Sequence, residues 1–174
     1  MGEGICISPP WVSIAGMKTA GIVVLVVVLA VVAFGLYRTF TPPDDLYTAT
    51  HHFPNCPERP SCVSSIAKDS THAIAPLRYE GDPDAAQALL SSTISAMPGA
   101  RIEQEDEHYI HALFQTPHMH FHDDVELLIS PDGVVDVRSI SRFGYGDHGV
   151  NRARVGEIRK RFEGVKLRAV ESPK

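Results

Sequence analysis

Histidines stand at alternate positions, His118, His120 and His122, and Asp124 continues the same phase. On an extended strand such side chains share one face at a spacing of roughly 6.6 to 7 Å. Two of these imidazoles could converge on one metal ion, with His108 or His111 of a neighbouring strand as a third ligand. The plainer alternative is a row of solvated histidines. Asp123 has the opposite phase and falls among apolar residues, where a carboxylate must meet an arginine or another donor, because an unpaired buried charge costs on the order of several kcal/mol. A catalytic carboxylate with a displaced pKa is the sharper reading of that position.

Arg138, Arg142, Arg152 and Arg154 gather around a loop that carries Gly144 and Gly146 and leads into a helix. Guanidinium groups beside free backbone N–H groups at a helix start suit a carboxylate or phosphate. The bland alternative is intramolecular pairing. Residues 39–137 hold 4 basic and 16 acidic side chains, a net of −12, whereas residues 138–168 hold 9 basic and 3 acidic, a net of +6. The two parts can neutralise each other, with Glu126 and Asp124 close to Arg138. The whole chain carries −5, which disfavours a generally basic nucleic-acid binder. No Gly-x-Ser-x-Gly, His-Glu-x-x-His, phosphate loop or dinucleotide fingerprint occurs, and no cofactor is expected.

Alternation and turn chemistry define the elements that must position these groups. Met119, Phe121, Val125, Leu127 and Ile129 point one way along a strand, and His118, His120, His122, Asp124 and Glu126 the other. Ser130-Pro131-Asp132-Gly133 reads as a type I turn with glycine in the left-handed position, which pairs Ser130 with Val134. Ile129 then faces Val135, Leu127 faces Val137, Val125 faces Ser139, Glu126 faces Arg138 and His122 faces Arg142. Ser141 falls opposite Asp123. A slip of one residue would set apolar against polar, so this register supports itself.

Asp82-Pro83-Asp84 opens an amphipathic helix ending near Pro98-Gly99, and Tyr109 to Phe114 form a further strand. Val150, Ala153, Val155, Ile158 and Phe162 line a last helix with Gly164 as its stop. The expected fold is α+β, an antiparallel sheet of about four strands with helices on one face.

Residues 19–37 carry no charge and are dominated by Val, Leu, Ile and Ala. Nineteen residues at 1.5 Å each span about 28 Å, close to the hydrocarbon thickness of a bilayer. Lys18 and Arg38 flank the run, Tyr37 takes an interfacial position, and the weak charge asymmetry favours a cytoplasmic N-terminus. Ala33-Phe34-Gly35 makes a cleaved signal peptide the rival of a retained anchor. Residues 1–18 are a short cytosolic tail or an upstream mis-start, 38–53 a linker with Pro42 and Pro43, 54–168 the soluble domain and 169–174 a tail. Cys56 and Cys62 bracket a loop pre-bent by two prolines; a disulfide there agrees with an oxidising compartment, while a redox pair and a metal site are the rivals.

Several stretches together resemble the domain-of-unknown-function family 1499. They are Asn55-Cys56-Pro57 with Ser61 to Ser65, His72 to Leu77, Tyr109 to Ala112, Asp123 to Glu126, Val137 to Gly144, and Asp147 to Val155. The likeness runs over roughly residues 54 to 162. It implies a small domain, often tethered to or exported across a membrane, with no catalytic residues to carry over. It places polar residues at Asp123, Asp124, Arg138, Ser141, Arg142, Asp147, Asn151, Arg152 and Arg154, and turns attention from the histidines to that network.

The resulting expectation is a bacterial inner-membrane protein with one span at 19–37 and an extracytoplasmic binding or accessory domain. The nine polar residues would form its site, and an anionic small molecule, a lipid headgroup or an envelope protein its partner. The alternatives are a metal-dependent or carboxylate-based envelope enzyme and a purely structural scaffold.

Overall fold

In a computed structural model the chain is described over residues 14–47, 53–117 and 120–171. It divides into two units, residues 1–37 and 38–174. Helix α1 (Ile14–Phe40) contains the apolar run, and Thr19–Phe40 is long and apolar enough to cross a membrane. Pro42 and Pro43 lie just beyond its end, where a missing N–H and a fixed φ stop a helix.

The second unit is built on a six-stranded antiparallel sheet, against the expected four or so. In chain order its elements are β1 (Cys62–Ser64), β2 (Leu77–Arg78), α2 (Pro83–Ser95), β3 (Ala100–Asp106), β4 (Tyr109–Gln115), β5 (His122–Ser130), β6 (Val134–Ser141) and α3 (Val150–Glu171). The two additional strands, β1 and β2, both pair with the outer edge of β6. Three and two residues are too few to display an alternation, so periodicity does not reveal them.

The β5–β6 register is the one that the turn dictates, from Ser130–Val134 through Glu126–Arg138 to Asp123–Ser141. Beyond the last ladder pair, the Arg142 N–H donates to the His122 carbonyl at 3.0 Å. Gly133 has φ +84, and a Cβ on it would lie 2.8 Å from the Tyr79 carbonyl oxygen, so the turn needs glycine for conformation and for space.

α2 begins at Asp82, whose carboxylate accepts from Ala85 N–H, with Pro83 in the first turn. It packs Ala86, Leu90 and Ile94 against Ile110, Ala112, Val125, Leu127 and Val137 on one face of the sheet, where α3 adds Val155, Ile158 and Phe162. α3 continues through Gly164 to Glu171. Glycine permits a left-handed cap without imposing one, and Gly164 is not among the glycines with positive φ.

The opposite face of the sheet is covered by residues 38–47, the first part of the segment expected as a linker. Asp45 reaches Arg138, the Tyr47 N–H donates to Glu126, and Leu46 is buried. The Tyr47 ring lies 5.0 Å from that of Tyr109. Residues 38–47 therefore form a strap across the sheet.

Candidate functional site

Alternation places Asp124, Glu126, Arg138 and Arg142 on the strap face, where all four are buried. Arg142 holds Asp124 with two nitrogens, each 2.8 Å from a carboxylate oxygen, and His111 Nε2 lies 2.8 Å from the same carboxylate. Burial alone would push Asp124 up, but the hydrogen bonds from Arg142 and His111 outweigh it and hold the carboxyl below its usual range. Arg138 donates to Glu126 at 2.9 Å and to Asp45 at 2.6 Å. The Tyr109 hydroxyl donates to Glu126 at 2.9 Å, and burial, then the Glu126 charge, raise the phenol far above its ordinary pKa.

Asp123 has the opposite phase and points to the helix side. Arg154 of α3 donates to it at 2.6 Å and lies over the Phe114 ring at 4.8 Å. Asn151 carries the network on, accepting from Ser139 and Arg154 and donating to Ser141 and to the Ser61 carbonyl. The Asp147 carboxylate accepts from the Gly149 and Asn151 N–H groups at the start of α3. The backbone donors expected to receive an external anion there are thus taken by the chain's own acid. Arg152 donates to the Thr71 and Ala73 carbonyls instead.

The nine polar residues do not form one cluster. Asp124, Arg138 and Arg142 lie on one face of the sheet, Asp123, Ser141, Asn151 and Arg154 on the other, with Asp147 at the helix end and Arg152 apart. The four arginines are engaged by carboxylates or carbonyls rather than left open.

The histidine row does not hold together as expected. β5 begins at His122, and His120 has φ +52, outside the strand alternation. His122 is buried with Nδ1 2.9 Å from the Thr39 carbonyl, so it is not solvated. His118 lies outside the described residues. Among the described residues no group of three or more His, Cys, Asp or Glu side chains is arranged to hold a metal ion. Cys56 and Cys62 are joined in a disulfide with their Cα atoms 5.6 Å apart.

Two cavities border the end of β6. The first, about 480 Å³, is lined by Arg38, Asp44, Asp45, Arg59, Arg142 and neighbouring prolines. Arg59 sits in the disulfide loop and donates to the Ser141 and Gly144 carbonyls at 2.7 and 3.1 Å. Burial, then the Arg38 and Arg138 charges, lower its pKa, and the Asp45 charge opposes them only in part. Among the described residues no carboxylate is within ion-pair distance of Arg38 or Arg59. The second cavity, about 400 Å³, has Asp123, Ser141 and Asp147 in its lining beside Phe121, Phe143 and Val150.

In the sequence Arg38 marks only the flank of an apolar run and residues 38–53 a linker, and neither Arg59 nor Tyr109 stands out as a site residue. One signal was available for Arg59: it is the only basic residue within the disulfide loop. No such signal marks Arg38 as a pocket residue, because the guanidiniums that share its cavity, Arg59 and Arg142, come from distant parts of the chain.

Neither the curated proteins nor the solved structures contain a match to this chain. Residues 52–162 match the family described as a protein of unknown function, DUF1499, and over more than half of its length the chain therefore belongs to that family.

Proposed function

We propose that the protein is a membrane-anchored binding domain that holds the phosphate of an anionic lipid headgroup in the pocket of Arg38, Arg59 and Arg142. The observation that carries this reading is that Arg38 and Arg59 share one cavity and, among the described residues, neither is within ion-pair distance of a carboxylate, although Asp44 and Asp45 also line it. Arg38 directly follows the charge-free run 19–37, so the cavity wall begins where the chain leaves the apolar segment. The two guanidiniums repel each other, and a phosphate would relieve that repulsion through charge-assisted hydrogen bonds. Arg142 is held by Asp124 and serves as a fixed wall.

The disulfide supports an oxidising compartment, and a periplasmic location of residues 38–174 beyond a bacterial inner membrane agrees with it. A binding role accounts for the site better than a hydrolase built on Asp123, whose carboxylate is already bound by Arg154.

The test is binding of the detergent-purified full chain to vesicles of phosphatidylglycerol and of phosphatidylcholine. Anionic vesicles are expected to bind more tightly, and Arg59→Gln to weaken that binding about tenfold, the effect of losing one charge-assisted hydrogen bond. Equal affinity of a folded Arg59→Gln variant for anionic vesicles overturns the proposal.

A further inference from the structure

We infer that the second cavity, between the end of β6 and the start of α3, is a binding site for a small organic cation with apolar substituents, of the alkylammonium class. It differs from the arginine pocket in the sign of its charge. Asp123 and Asp147 contribute two carboxylates against the single guanidinium of Arg154, which holds Asp123 from the helix side, and among the described residues no Lys or Arg is in the lining. Its walls are aromatic and apolar: the Phe121 and Phe143 rings stand 6.1 Å apart with their planes at 36°, beside Pro117 and Val150. Such rings attract a cation through their electron-rich faces while packing its methyl groups. A volume of about 400 Å³ suits a small ligand.

Two independent features mark the cavity as more than a surface dent. Outside α1, the exposed large apolar side chains among the described residues are Phe143, Tyr145 and Val150, all in or beside this cleft. Water contact at three such neighbouring side chains is unfavourable and is relieved by a ligand.

The floor also has unspent hydrogen-bonding capacity. Asp123 is only 2% exposed, and among the described hydrogen bonds only its Oδ2 is engaged, by Arg154. Ser141, 6% exposed, accepts from Asn151 and has no described acceptor for its own proton. A hydroxyl-bearing alkylammonium fits both groups: its charged end lies against the rings and the acids, and its hydroxyl meets Ser141.

The experiment is a titration of the full chain in detergent with choline and with 3,3-dimethylbutan-1-ol, which replaces the ammonium by carbon at the same shape. Choline is expected to bind at least about tenfold more tightly than the uncharged isostere, and Phe143→Leu to weaken choline binding about fivefold at an unchanged thermal midpoint. Equal binding of the two compounds, no binding of choline, or full affinity in Phe143→Leu overturns the inference. Should the variant not fold, chemical-shift changes on choline addition decide: changes at Phe121, Ser141 and Phe143 support the site, and changes confined elsewhere refute it. Arg59→Gln leaves choline binding intact, so this site and the headgroup pocket fail or stand separately.

Discussion

Arg138 and Glu126 are both fully buried, and this makes each depend on the other. Removing one partner strands a buried charge, whereas removing both leaves no buried ion there, although the Tyr109 hydroxyl and the Tyr47 N–H lose their acceptor. Arg138→Met is expected to cost about 3 to 5 kcal/mol, and the double variant Glu126→Leu with Arg138→Met clearly less. Urea unfolding of the single and double variants measures the difference, and equal losses would show that the pair is not coupled. Asp124 makes a different demand. Because its folded pKa is depressed, its stabilisation is fully present above the unfolded value of about 3.9 and is lost as pH falls through the folded value. Stability of the native chain should therefore drop more steeply below about pH 5 than that of Asp124→Asn. Parallel acid profiles would assign the acid sensitivity to other carboxylates.

The disulfide loop and β6 act as one element. Cys62 starts β1, which pairs with Ile140 to Arg138, while Arg59 within the loop grips one carbonyl at the end of β6 and one just beyond it. Replacing Cys56 and Cys62 by serine is expected to cost about 2 kcal/mol through the unfolded chain. It should also release Arg59, so headgroup binding falls together with stability. Denaturation and vesicle binding on one preparation test this, and a variant that loses stability but binds normally would separate the loop from the pocket. Turn chemistry is the counterpart on the other side of the sheet. Ser130 to Gly133 and the alternation around them were sufficient for the whole β5–β6 register. They could not disclose β1 and β2, whose pairing depends on chain brought from elsewhere.

Across the whole second unit, the strap makes the segment after the apolar run a structural layer. Residues 38–174 should fold with near-native stability, whereas residues 48–174 should lose on the order of several kcal/mol, because Arg138 loses Asp45, Glu126 loses the Tyr47 N–H and buried Leu46 is gone. Urea midpoints of the two fragments check this, and equal midpoints would return the segment to a passive linker. The sequence by itself determined the apolar run, the two principal helices, the central hairpin with its register, and the polar residue types at Asp123, Asp124, Arg138 and Arg142. Each of these follows from neighbours a few positions apart or from a turn that brings two strands into phase. Only the tertiary structure decided that Asp123 and Asp124, adjacent in the chain, serve networks on opposite faces, that Asp147 fills the helix start left open for an anion, and that Arg38 and Arg59 share a cavity. Those outcomes depend on what covers each face of the sheet, and the covering segments lie up to about a hundred residues away, beyond the reach of any local period.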